Sequence, residues 1–74
     1  MVALRAARLE RGLSLRALAR RAGVATSTVY ALEMGRHVPQ LRVIRQLSEA
    51  LACNPWDIDE FRSRLETNLR PPAP

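Results

Sequence analysis

Residues 15–34 read LRALARRAGVATSTVYALEM. Before Gly23 the apolar residues Leu15, Leu18, Ala19 and Ala22 recur at the spacing of one helix face. Gly23 then ends that helix, because a residue without a Cβ enters the left-handed conformation cheaply and lets the chain turn within about three residues. Val29 and Leu32 seat a second helix. Ala19, four residues before the turn, is small enough for the two helices to cross closely at roughly a right angle. Two helices joined in this way form a helix-turn-helix over residues 15–34, an arrangement whose second helix suits the major groove of DNA.

Outward from this pair the chain reads as an all-α domain of five short helices. The first runs from about Ala3 to Arg11 and ends at Gly12, with Leu4 and Ala7 inward. Ser14 caps the second through its hydroxyl. The third occupies about Thr26 to Met34 and closes at Gly35. Pro39 opens the fourth as its first residue, where a fixed φ and a missing N–H cost nothing, and Leu41, Ile44, Leu47 and Leu51 turn its apolar face to the core. Asn54, Pro55 and Asp57 form a further start signal, with Trp56 closing the bundle. Ile58, Phe61, Leu65 and Leu69 follow at spacings of three, four and four, extending the last helix to about Asn68. A core already closed by Trp56 has little room for this stripe. Burying each side chain is worth about 1.5–3 kcal/mol, which predicts a homodimer built on residues 55–69 through Ile58, Phe61, Leu65 and Leu69; the alternative is folding back across the first and fourth helices. One domain thus spans residues 1–69, and Arg70 to Pro74 form an extended or disordered tail.

Composition narrows the function classes. A chain of 74 residues makes one small domain that buries about 60% of its unfolded surface. With a single cysteine, Cys53, and a single histidine, His37, it has no internal disulfide, no metal-ligand spacing and no expected cofactor. Cys53 reads as a small buried hydrophobe in a reducing, cytoplasmic compartment. No apolar run is long enough to span a membrane and none near Met1 resembles a secretory signal. Scattered carboxylates with one His and one Cys make no nucleophile and base set, so no enzyme is expected. The net charge of +5 is uneven: residues 1–45 carry nine arginines against Glu10 and Glu33, net +7, and residues 46–74 carry three arginines against five acids, net −2. The basic half contains the helix pair, which points to a polyanionic partner, double-stranded DNA.

If Val29 and Leu32 face inward, helix geometry puts Ser27, Tyr30, Ala31 and Met34 on the opposite face, with Thr26 at the tip. The hydroxyls of Thr26 and Ser27 can donate or accept, the methyl groups of Ala31 and Thr26 can meet a thymine methyl, and Tyr30 can reach phosphate or sugar. None supplies a bidentate base contact. Positioning then falls to Arg16 in the first turn of the second helix, and to Arg36, His37 and Arg42 around the start of the fourth. Arg20 and Arg21 face either DNA or solvent.

Leu4 with Arg8, Gly12-Leu13-Ser14, Leu18-Ala19, Gly23-Val24, Ser27-Thr28-Val29, Leu32-Glu33, Gly35, Pro39 and the Leu47 to Leu51 stretch together resemble the lambda repressor and Cro superfamily, the Xre-like transcription regulators. The resemblance covers about Leu4 to Ile58. It implies a five-helix domain whose second and third helices bind operator DNA, usually as a two-fold dimer, and a salt bridge between Arg8 and Glu33. The pair also makes physical sense alone, since Glu33 follows the core residue Leu32 and its carboxylate needs a partner. Leu15 stands where many relatives place a DNA-contacting Gln, and Ala25 replaces the usual hydroxylated cap, leaving Thr26 either to cap the third helix or to read bases. Ser48 stands where a small apolar residue is common, tolerable if it bonds the preceding turn. The expected function is a sequence-specific transcriptional repressor binding an inverted repeat as a dimer. The rival is a protein-interaction module, such as an antitoxin subunit, that captures a partner with its C-terminal stripe.

Overall fold

The computed structural model describes residues 1–68. Leu69 and the tail, residues 70–74, lie outside the described residues. Among the described residues the chain is all-helical: α1 (Leu4–Glu10), α2 (Leu15–Ala22), α3 (Thr26–Glu33), α4 (Leu41–Leu51), a 3-10 turn (Pro55–Asp57) and α5 (Asp59–Asn68). Each helix turns its apolar stripe to one core, in which Leu4, Leu18, Val29, Leu47, Ile58 and Phe61 are wholly buried.

Start signals act differently from one helix to the next. Ser14 caps α2, its Oγ accepting from the Ala17 amide at 3.0 Å. Asn54 likewise accepts from the Trp56 amide at 3.0 Å, but the helix it opens is only the single 3-10 turn. Ile58 is extended (φ −99°, ψ 121°) and interrupts the expected continuous helix over residues 55–69. Pro39 is not the first residue of α4. It is buried just before Gln40, the N-cap, and the helix begins at Leu41. Leu41 correspondingly stays 38% exposed instead of joining the core.

The break at Ile58 has a long-range cause. Val2 donates to the Asp57 carbonyl at 2.8 Å and accepts from the Asp59 amide at 2.9 Å, a one-residue parallel bridge between Val2 and Ile58. Glu60 completes the junction by accepting from the Leu4 amide at 2.7 Å, serving an amide of the first turn of α1 that has no partner within its own helix. From this junction α5 packs back along α4, and Arg64 Nε donates to the Pro39 carbonyl at 3.0 Å.

This redirection corrects the expected dimer surface. Ile58 and Phe61 are fully buried and Leu65 is 3% exposed within the single chain, so these three belong to the domain's own core; the fourth, Leu69, is outside the described residues. Phe61 closes the bundle, and Trp56 is half-buried at the core's edge, with the Arg62 guanidinium 6.0 Å from its ring centroid. Room for the stripe exists because the extended residue at 58 rotates α5 into the space a straight helix would have left open.

Two smaller expectations also change. Ser48 does not bond the preceding turn: its Oγ is buried without a hydrogen-bond partner among the described residues. Cys53 is only half-buried. Arg11, which the sequence left unassigned, fastens α1 to α4 by donating from Nε to the Leu51 carbonyl and from Nη1 to the Ala7 carbonyl at 2.8 Å.

Candidate nucleic-acid interface

The turn between α2 and α3 is built as its residues dictate. Gly23 adopts φ 75°, ψ 30°, a left-handed conformation that costs other residues about 1–2 kcal/mol, and the Val24 amide reaches back to the Ala19 carbonyl at 3.0 Å. That six-to-one bond finishes α2 and swings the chain directly into α3. Ala19 is buried at the crossing.

Ala25 is the N-cap of α3 and offers no side-chain bond. Thr26 therefore sits at the first helical position with its side chain exposed, and it does not take over as cap. Val29 and Leu32 are buried. On the outer face Thr26, Ser27, Tyr30 and Met34 are exposed, and Ala31 is half-buried.

The far end of α3 is anchored to α1. Arg8 Nε lies 2.7 Å from Glu33 Oε2, Nη2 donates to Oε1 at 3.2 Å, and Nη1 donates to the Leu13 carbonyl at 2.8 Å. This two-pronged pair fixes both position and angle of the last turn of α3, and with it the ridge that the helix presents.

Beyond α3 the chain turns at Gly35 and places the Arg36 guanidinium 5.7 Å from the centroid of the Tyr30 ring. Stacking of a cation on a ring face holds the two side chains side by side. Together they wall a concavity of about 630 Å³, which Ser27, Ala31, His37 and Gln40 also line. Five of the eight candidate DNA-binding residues thus share one depression: Ser27, Tyr30, Ala31, Arg36 and His37. The other three, Arg16 in the first turn of α2, Thr26 at the start of α3 and Arg42 in the first turn of α4, are exposed but do not line it. Arg20 and Arg21 are exposed in the last turn of α2. Gln40 was absent from the sequence reading, which put the start of the fourth helix at Pro39; the shift of that start makes Gln40 an exposed N-cap on the rim.

The concavity mixes hydroxyl, phenol, imidazole, amide and guanidinium groups, a set able to pair with phosphate oxygens and base edges together. A family model described as a helix-turn-helix domain matches residues 2–61. The chain belongs to that family. Neither the curated proteins nor the solved structures provide a match to it. The helix-turn-helix domain is a DNA-binding unit, and the match runs from Val2 through Phe61, taking in the Val2–Ile58 junction as well as the helix pair. Among the described residues no helix is long and apolar enough to cross a membrane. No group of three or more His, Cys, Asp or Glu among them could hold a metal ion.

Proposed function

We propose that this domain is a sequence-specific transcription regulator of the lambda-repressor and Xre type, acting in the cytoplasm as a two-fold dimer on an inverted-repeat operator. The observation that carries the reading is the stacked Tyr30–Arg36 pair beside the Ser27 hydroxyl on one exposed ridge. A guanidinium held there meets a backbone phosphate while the ridge enters the major groove, and Thr26, Ser27 and Ala31 meet base edges. Arg16 and Arg42 supply further phosphate contacts on either side. Two such ridges about 34 Å apart engage successive major grooves. A dimer lying on an operator blocks other proteins from that duplex, so the sign we assign is repression.

Selection of bound duplexes from a random pool, with the mass of the protein–DNA complex measured, tests this reading. Enrichment of a two-fold symmetric site carrying two protein chains is the expected result. A pool that binds without enrichment, or does not bind, refutes it. The rival use of the C-terminal stripe as a partner-capturing surface has lost its basis, because Ile58, Phe61 and Leu65 are spent in the domain's own core.

A further inference from the structure

The concavity beside α3 contains one polar side chain that the fold does not use. Gln40 lines it together with Ser27, Ala31 and Arg36, is exposed, and makes no capping bond although it is the N-cap of α4. The side chains that cap well are the short ones of Ser, Thr, Asp and Asn. Gln carries one methylene more than Asn, and among the described residues its carboxamide has no hydrogen-bond partner.

The backbone beneath this side chain is held from both directions. Arg64 Nε donates to the Pro39 carbonyl at 3.0 Å, Pro39 itself is buried, and the Gln40 carbonyl accepts from the Ile44 amide at 3.0 Å. Only the side-chain torsions of Gln40 remain to be ordered when a ligand arrives, which favours a precise contact.

Its chemistry differs from that of its neighbours. The α3 face offers two hydroxyls and a methyl group, and the Arg36 guanidinium only donates and lies against Tyr30. A carboxamide sets a donor and an acceptor side by side. That pair complements adenine N7 and N6 on the major-groove edge, whereas guanine presents two acceptors there and would set its O6 against the Gln oxygen. Asn54 spends its oxygen on the Trp56 amide, and Gln46 is half-buried and does not line the concavity. Ser27 and Ala31 are short, so the Gln40 carboxamide has room beside them to reach a base.

We infer that Gln40 is a specificity-determining residue that selects adenine at one position of the bound sequence, donating to N7 and accepting from N6. The inference rests on the reading above that this concavity faces DNA.

Selection from a random duplex pool by wild type and by Gln40→Ala tests it, with thermal melts confirming that the variant is folded. Wild type enriches an adenine that Gln40→Ala leaves degenerate, with discrimination at that position falling about 5- to 150-fold and the other positions retained. A duplex carrying 7-deazaadenine at that position, which lacks the N7 acceptor, adds a readout that a purely structural role would not move. It binds wild type about 2- to 12-fold more weakly than the adenine duplex, and Gln40→Ala binds both duplexes equally. A wild-type motif that persists unchanged in Gln40→Ala, a uniform loss of affinity for every sequence as expected of a phosphate contact, or wild-type binding indifferent to 7-deazaadenine overturns the assignment and leaves the DNA-binding reading intact. A wild type that enriches no sequence overturns that reading and the assignment together.

Discussion

Replacing Arg8 by alanine strikes the most heavily committed side chain in the molecule. The guanidinium and its Glu33 partner retain only 9% and 5% of their side-chain exposure, and a third bond runs to the Leu13 carbonyl. Arg8→Ala leaves a carboxylate and a carbonyl stranded away from water, a loss of about 3–5 kcal/mol for a buried pair broken on one side. A domain of this size has a total stability on the order of 4–11 kcal/mol, so this one change removes a large share of it. At about 4–8 °C per kcal/mol, the melting midpoint should fall by roughly 12–40 °C. Thermal and urea melts followed by circular dichroism give the number. DNA binding measured at a temperature where the variant is still folded should weaken less than stability does, because Arg8 does not line the α3 concavity and acts on it only by fixing the last turn of α3. The double variant Arg8→Leu/Glu33→Leu should recover most of the loss, since apolar groups of similar size remove both desolvation penalties together. A midpoint for Arg8→Ala within a few degrees of wild type would refute the reasoning.

Ser48→Ala should raise stability by about 1 kcal/mol, since it deletes a buried hydroxyl without a partner and improves helix propensity; the same melts detect it as an upward shift. Gly23→Ala should cost about 1–2 kcal/mol with the fold retained, because a Cβ there meets nothing within 4 Å and only the left-handed backbone is penalised; complete unfolding would contradict this. Arg36→Gln and Arg42→Gln should each weaken binding to all duplexes alike and reduce the salt slope of log K by about 0.9, whereas Ser27→Ala should change which sequences a pool yields. Burial pushes the Cys53 thiol above its ordinary value, Arg11 draws it down and Asp57 raises it. Alkylation near neutral pH should therefore run slower in the folded chain than in urea. Since the folded state holds this proton longer, the stability tied to the group is complete below the unfolded thiol's pKa and declines as pH rises through the folded value.

The helix pair was legible because its determinants are local. Gly23, Ala19 and Ser14 act on residues within five positions of themselves, and their geometry follows from backbone sterics and a single hydroxyl. Pro39 misled for a reason of the same kind: proline favours both the first helical position and the extended segment just before a cap, and only packing around a buried ring selects the second. The Val2–Ile58 bridge and the Glu60 bond to Leu4 join residues 56 positions apart. No periodicity signals such a pairing, and the mistaken continuity of the last helix follows from missing it. At the interface, single-residue exposure on α3 was readable from helical phase, while the approach of Arg36 to Tyr30 depends on the turn after Gly35 and was not.

Periodicity states that a face will be covered and is silent on what covers it. Ile58, Phe61 and Leu65 carry the same pattern whether they meet a second chain or their own, and an extended backbone at residue 58 decides for their own. The converse case is Leu41. By spacing it belongs with Ile44, Leu47 and Leu51, yet those three are buried and Leu41 is not. The helix starts only at residue 41, so the core stops one turn short of the apolar stripe it would have to cover. A residue in phase with the core but beyond its reach stays partly in water: at 38% exposure Leu41 has already gained most of the about 1.5–3 kcal/mol that full burial of a leucine is worth, so pattern and fold part company here at little cost.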